Sequence, residues 1–222
     1  MPLRPALGIG KSPPCHPPLL SRAAMAFATK AQGHGIRFGP FEVTSQVFLT
    51  TPHSFALVNL KPLVPGHVLV CPLRPHRRLT DLSAAETADL LGAVQRTQRM
   101  LARRYFPDPA DLRSGSFTVA VQDGPEAGQT VPHVHVHVIP RVAGDVGENP
   151  DALYTRMAGE EGNVGGALWD RDRGGALEDA RRPAAGGAMA PIEDADRGAR
   201  SEEDMRREAE LYREALRDMG PV

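Results

Sequence analysis

The sequence predicts an α+β domain: an antiparallel sheet of about five strands, one long helix after the third main strand, and a C-terminal helix. Three observations carry that expectation. Short β-favouring runs follow one another with only turns between them, which suits a meander better than alternating βαβ units. A Ser-Ala-Ala-Glu capping box, Ser83 to Glu86, opens a stretch with helical periodicity. From His133 to Val138, histidine and valine alternate at period two, the pattern of a strand.

The first strands are Val47–Thr50 and Ser54–Leu60, separated by the turn signal Thr51-Pro52-His53. Pro65-Gly66 makes the next turn, and His67–Leu73 reads as a buried strand. The helix opened by Ser83 runs to about Tyr105, with Leu90, Leu91, Val94, Leu101 and Tyr105 as its apolar stripe and Pro107 as its stop. Ser116–Gln122 is a further strand. It leads through the Gly-rich stretch Asp123–Thr130 into the histidine strand.

The 222 residues are enough for one domain with a sizeable core. Residues 1–33 contain no Asp or Glu and are rich in Pro, Ala and Gly, so they read as a disordered leader ahead of a domain spanning 34–222. Met25 is an alternative start. Mitochondrial targeting is the competing reading of this leader, against which Pro2, Pro5, Pro13, Pro14, Pro17 and Pro18 would spoil an amphipathic helix. Residues 143–200 repeat Gly, Ala, Arg and Asp with few large apolar side chains, and are expected to be a largely disordered insertion. Ser201-Glu-Glu-Asp204 caps a last helix over 201–219, whose packing stripe is Met205, Ala209, Tyr212, Leu216 and Met219.

A formal net charge of −1 offers no basic field for nucleic acid, and no apolar run approaches the length of a membrane span. Cys15 and Cys71 lie in unlike contexts, which fits a reducing compartment: the cytoplasm, with the nucleus as a second location.

The alternation at 133–138 places His133, His135 and His137 on one face, roughly 6–7 Å apart, and the valines on the other. The glycines ahead of them can turn backbone N–H groups toward an anion, so phosphate beside imidazole is the working idea. Three readings compete. A metal site would use His-x-His as two ligands, but the nearest acids, Asp123 and Glu126, lie across a Gly-Pro turn. Covalent phosphoryl or nucleotidyl transfer would use one neutral imidazole as nucleophile and needs no dedicated metal site. A purely structural role for three alternating histidines ranks last. His16, His34, His53 and His76 sit in Pro- or Gly-rich contexts and read as surface residues.

The run His133-Val-His-Val-His-Val-Ile139 resembles the histidine triad motif. With Ser54-Phe-Ala-Leu-Val-Asn59, Pro65–Pro75 and Gln122–Thr130, the chain is similar to the fragile histidine triad branch of that family, the dinucleoside triphosphate hydrolases. The resemblance covers about Phe38 to Tyr154 and resumes at Arg200–Met205. It implies a homodimer that cleaves diadenosine triphosphate to AMP and ADP. His135 would be the nucleophile that carries the adenylyl group. His137 would contact the α-phosphate, His133 would orient the site, and His67 would be a fourth histidine close by. Gln122 would touch phosphate within a loop that continues through Gly128, Gln129, Thr130 and Val131. Asn59 would bind ribose, and Phe38, Leu57 and Leu69 would line the base. A divalent cation, Mg²⁺ or Mn²⁺, would accompany the substrate phosphates without a metal site in the protein. A phosphoramidase or adenylylsulfatase, or a nucleotide-loaded signalling module with slow turnover, are the alternatives. The long stretch at about 160–198 departs from the family pattern.

Overall fold

The computed structural model describes residues 35–147, 149–174, 179–185 and 200–220. The expected leader, with Cys15, His16, Met25 and His34, lies outside the described residues. The chain enters through a small hairpin, β1 (Arg37–Phe38) and β2 (Phe41–Glu42), turned by Gly39 at φ 56°. The main sheet then forms from β3 (Val47–Thr50), β4 (Ser54–Val58) and β5 (Val68–Pro72). After α1 (Ala84–Tyr105) come β6 (Ser116–Val121) and β7 (Val136–Arg141). The sheet is antiparallel throughout, in the order β3-β4-β5-β7-β6. The α+β architecture with five strands is the one the sequence predicts.

Register fixes what each face presents. Leu57 pairs with Leu69, Leu69 with His137, and His137 with Ala120. Directly opposed residues share a face, so Leu57, Leu69, Ala120 and a triad histidine form one row. Val58, Val68, Val138 and Val119 form a row on the other face.

The ladder of β7 begins later than the sequence pattern suggests. Of the triad, only His137 lies in the paired strand. The backbone bends at residues 131–133, and the amide of Val134 bonds the carbonyl of His76 at 2.8 Å, not a neighbouring strand. The chain is turning out of the glycine loop there and comes into register only at Val136.

The capping box of α1 forms in full: Ser83 accepts from the Glu86 amide at 3.3 Å, and the Glu86 carboxylate accepts from the Ser83 amide at 2.9 Å. Leu90, Val94 and Leu101 are buried, but Leu91 is 55% exposed and does not belong to the packing stripe. One residue past Leu90 on a helix is a rotation of about 100°, and the buried set continues instead through Ala93, Thr97 and Met100.

The expected disorder of 143–200 is corrected over its described part. Residues 149–174 contain α2 (Ala152–Ala158) and α3 (Val164–Arg173). The small residues that looked too poor to build a core allow close approach instead. A Cβ on Gly165 would stand 2.5 Å from the Thr130 carbonyl oxygen. Leu153, Met157, Val164, Ala167 and Leu168 are all buried. Asn163, 1% exposed, caps α3 by accepting from the Gly166 amide at 2.7 Å. Arg182 locks the segment, reaching Asp170 at 2.8 Å and Glu160 at 2.5 Å. The remainder of the insertion, including 186–199, lies outside the described residues.

α4 (Glu202–Asp218) starts at the Ser201 cap and buries Met205, Ala209, Tyr212 and Leu216. The Tyr212 hydroxyl bonds Glu208 at 2.5 Å and the Tyr105 hydroxyl at 2.7 Å, which ties α4 to the end of α1. Among the described residues, no helix is long and apolar enough to cross a membrane.

Candidate active site

Four histidines, His67, His133, His135 and His137, gather where β5 meets β7, and each is at most 1% exposed. His135 and His137 have ring centroids 5.0 Å apart, and His67 and His137 5.2 Å apart. Phe38 of the hairpin stands edge-on to His135 at 5.1 Å and lies 5.6 Å from His133. Burial lowers the proton affinity of all four rings. His135 falls to about 4 and His67 to about 3, burial being the largest cause for each, and His133 and His137 shift the same way for the same reason. The rings are therefore neutral near pH 7.

A neutral imidazole has one N–H and one lone pair, and the bonding partners decide which nitrogen holds which. The Gly39 amide donates to His133 Nδ1 at 3.0 Å, so His133 Nε2–H donates to the Pro72 carbonyl at 2.8 Å. His135 Nδ1 lies 2.8 Å from the His133 carbonyl, which can only accept, so this nitrogen carries the proton. Nε2 of His135 is left with its lone pair. The Leu63 amide donates to His67 Nδ1 at 3.1 Å, so His67 Nε2–H donates to His137 Nδ1 at 2.9 Å. Nε2 of His137 then carries a hydrogen. It is buried without a partner among the described residues.

The result is one bare lone pair on His135 and one unpaired N–H on His137, on adjacent rings. A nucleophile beside a donor for a developing negative charge is the arrangement that acyl- and phosphoryl-transfer chemistry needs. Among the described residues, no group of three His, Cys, Asp or Glu side chains is placed to hold a metal ion.

The other predicted site residues are placed as follows. Asn59, 1% exposed, accepts from the Lys61 amide at 3.0 Å and brings its Nδ2 to 3.4 Å from the ring nitrogens of His67. It opens the turn and borders the site at once. Leu69 lies beside His137 in the sheet with Leu57 next to it on β4, and Phe38 rests on His135; all three are at most 1% exposed. Gln122 is half-buried at the end of β6. In the glycine loop, Gly128 adopts φ 90°, which favours glycine. The Gln129 side chain donates to the Arg77 carbonyl at 3.0 Å, the Thr130 hydroxyl accepts from the Gly165 amide at 3.0 Å, and Val131 is fully buried. The Gln129 and Thr130 side chains are thus engaged with protein.

Several supports were invisible to sequence reasoning. Arg78 bonds the Asp123 carbonyl, and Asp123 accepts from the Leu79 amide at 2.9 Å, so the stretch after β5 braces the glycine loop. Arg200 bonds the Asn59 carbonyl and contributes, after burial and His135, to the low proton affinity of His67. His76, expected at the surface, is half-buried and bonds Glu86 at 3.0 Å. These contacts join residues 10 to 141 positions apart, so no local pattern announces them.

The site is covered. α3 bonds Thr130 of the glycine loop, and its Arg171 reaches the Glu42 carbonyl of the hairpin at 3.1 Å. A cavity of about 550 Å³ lies elsewhere, beside the 61–66 loop, lined by Lys61, Tyr105, Glu161 and Arg200 among others.

The HIT domain family profile matches residues 40–144. The bifunctional bis(5'-adenosyl)-triphosphatase/adenylylsulfatase FHIT of Arabidopsis thaliana is 45% identical over 138 residues, which cover 61% of this chain and 72% of that protein. A bis(5'-nucleosyl)-tetraphosphatase (asymmetrical) of Schizosaccharomyces pombe is 40% identical over 173 residues, covering 78% of this chain and 90% of the yeast protein. The nitrilase and fragile histidine triad fusion protein NitFhit of Caenorhabditis elegans is 47% identical over 128 residues, 57% of this chain, and the match spans only 27% of NitFhit. The NitFhit crystal structure superposes with a TM-score of 0.53 at 35% identity, covering 82% of this chain and 30% of that one.

Proposed function

From the premise that the chain belongs to the histidine triad (HIT) family, we propose that it is a hydrolase that cleaves diadenosine triphosphate and related dinucleoside polyphosphates to AMP and ADP or its homologue. The observation that carries this reading is the pair of complementary atoms on His135 and His137. A bare Nε2 lone pair stands beside an unpaired Nε2–H, in rings that are neutral at pH 7. The names of the Arabidopsis and yeast relatives support the substrate class.

In the proposed reaction, His135 Nε2 attacks the α-phosphorus as the bond to the leaving nucleoside diphosphate oxygen breaks. The adenylyl group passes to His135. Positive charge develops on the ring and is met through Nδ1–H by the His133 carbonyl, already 2.8 Å away. The His137 N–H faces the negative charge growing on the α-phosphate oxygens, and His67 keeps that proton on Nε2 by holding Nδ1. Water then attacks the same phosphorus, the N–P bond breaks, and AMP leaves with the ring neutral again. Asn59 would hold ribose, and Phe38, Leu57 and Leu69 would receive the base once the covering segments part. Gln122 and the loop Gly128–Val131 would flank the phosphates. A divalent cation carried by the polyphosphate would offset its charge.

The second copy that the family resemblance implies would add along β6. Among the described residues this strand pairs on one side only, with β7, and Val119 on it is 46% exposed. Light scattering coupled to gel filtration measures that mass directly.

Turnover of diadenosine triphosphate in H₂¹⁸O tests the reading. Label in AMP and none in ADP is the expected result. Label in ADP would place the attack elsewhere, and no turnover of any dinucleoside polyphosphate would reject the activity. Phosphoramidates and adenylyl sulfate differ only in the leaving group, so relative rates under the same conditions rank the substrates.

A further inference from the structure

The triad's most exacting residue sits where the sheet gives it no support. β7 pairs with β5 and β6 only from Val136 onward, so His133, Val134 and His135 lie outside the ladder. Two contacts to the chain leaving β5 replace it. The His133 ring donates to the Pro72 carbonyl at 2.8 Å, and the Val134 amide donates to the His76 carbonyl at 2.8 Å. Pro72 is held within β5. Beyond it the chain is exposed at Leu73 (38%), whose amide donates to the His53 carbonyl at 2.7 Å, and the Arg74 side chain, 73% exposed, touches Glu86 at 3.2 Å from the solvent side, so the first half-buried side chain of that stretch is His76.

His76 is the anchor. Its side chain is 12% exposed, and its Nε2 lies 3.0 Å from one carboxylate oxygen of Glu86, whose own side chain is 4% exposed. The other Glu86 oxygen accepts from the Ser83 amide at 2.9 Å and from the Ser83 hydroxyl at 2.7 Å. One carboxylate thus caps α1 with one oxygen and grips His76 with the other. The His76 bond is the largest cause holding the Glu86 carboxyl down at about 2, so the carboxylate is charged throughout the working range.

We propose that His76, fixed to Glu86 at the first turn of α1, is a positioning residue that sets the backbone of Val134 and so the aim of His135. The His133 carbonyl belongs to the peptide that ends at the Val134 nitrogen. The N–H of that peptide bonds His76, and its C=O receives the His135 Nδ1 proton. Both ends of one rigid peptide plane are therefore committed, one to the anchor and one to the nucleophile. Releasing the anchor lets the plane tilt, and the bond that keeps Nε2 of His135 unprotonated goes with it. A displacement of about 1 Å at a reacting group costs on the order of 100-fold in rate.

The inference rests on the proposed reaction for its kinetic readout but not for its spectroscopic one. The experiment compares His76→Leu, His76→Gln and Ser83→Ala with the wild type. It uses imidazole ¹⁵N NMR of His135 together with single-turnover rates and KM on diadenosine triphosphate. Expected for His76→Leu are mixed His135 tautomers and a chemical step slowed about 10-fold or more, with KM within about two-fold. His76→Gln keeps a donor and restores both to within about three-fold. Ser83→Ala breaks the α1 cap, lowers Tm, and leaves tautomer and rate unchanged. A His76→Leu protein with the wild-type tautomer and rate would overturn the proposal. So would rates in His76→Leu and Ser83→Ala that fall together with Tm. A wild type that shows the predicted tautomer change on mutation, yet cleaves no dinucleotide, would reject the proposed activity and keep the anchor.

Discussion

His67 Nε2 lies 2.9 Å from His137 Nδ1, and the Leu63 amide occupies the other nitrogen of His67. A residue 70 positions away from His137 therefore decides which of its nitrogens carries the proton. The consequence is measurable. His67→Leu removes the donor, lets the His137 proton return to Nδ1, and takes the N–H away from the phosphate. The expected loss is about 10- to 100-fold in kcat with a small change in KM, since the contact strengthens as charge develops. Steady-state kinetics on diadenosine triphosphate checks it; a change confined to KM would contradict it.

Burial of the histidines also sets how pH acts on the fold. Their folded-state affinities lie below the unfolded value, about 4 for His135 and about 3 for His67 against 6.5. Below pH 6.5 the unfolded chain binds protons that the native chain refuses, so stability falls as pH falls. The contribution is fully present above the unfolded value and is lost progressively between pH 6.5 and about 3. Urea midpoints at pH 7.5 and pH 5 measure this, and the lower midpoint is expected at pH 5. Turnover, by contrast, should persist through pH 6, because His135 is still neutral there.

Arg182 latches the cover of the site through Asp170 and Glu160, with its side chain only 8% exposed. Arg182→Ala takes the cation from Asp170, leaves Glu160 with Lys61 at 3.7 Å, and leaves the Asn163 bond to the Pro183 carbonyl at 2.9 Å to hold α3 to the segment at 179–185. Diethylpyrocarbonate should then modify the triad histidines several-fold faster than in the wild type. Unchanged modification rates would mean that the other contacts of α3, to Thr130, Glu42 and its apolar neighbours, hold the cover without Arg182.

Tyr212 offers a control that does not touch the triad. Its hydroxyl bonds Tyr105 and Glu208, and its ring is fully buried. Tyr212→Phe should lower stability by about 1–2 kcal/mol, the usual cost of a lost buried hydrogen bond, while kcat stays unchanged. Chemical denaturation and an activity assay test the two halves.

Much of this was legible because local rules act locally. Ser83 and Glu86 announced α1, and Ser201 with Asp204 announced α4, since a cap is a contact between residues three apart. Alternation at 133–138 identified the triad but misplaced its strand, because whether His133 joins a ladder depends on how the glycine loop exits. α3 was missed because only Val164, Leu168 and Trp169 are large apolar residues in it, and Gly165 fits it against the Thr130 backbone, a mode of packing that composition hides. His76 looked like a surface residue for a similar reason: its partner, Glu86, comes from the first turn of the next helix, and no periodicity links them.

The central claim is that His135 Nε2 takes the adenylyl group. Rapid quench of the enzyme with α-³²P-labelled diadenosine triphosphate, followed by peptide mapping under conditions that preserve phosphoramidates, tests it most directly. The account predicts a transient acid-labile adduct on His135 that forms and decays at rates compatible with turnover. Label on His133, His137 or any other residue, or turnover at the full rate with no adduct at any quench time, would contradict it.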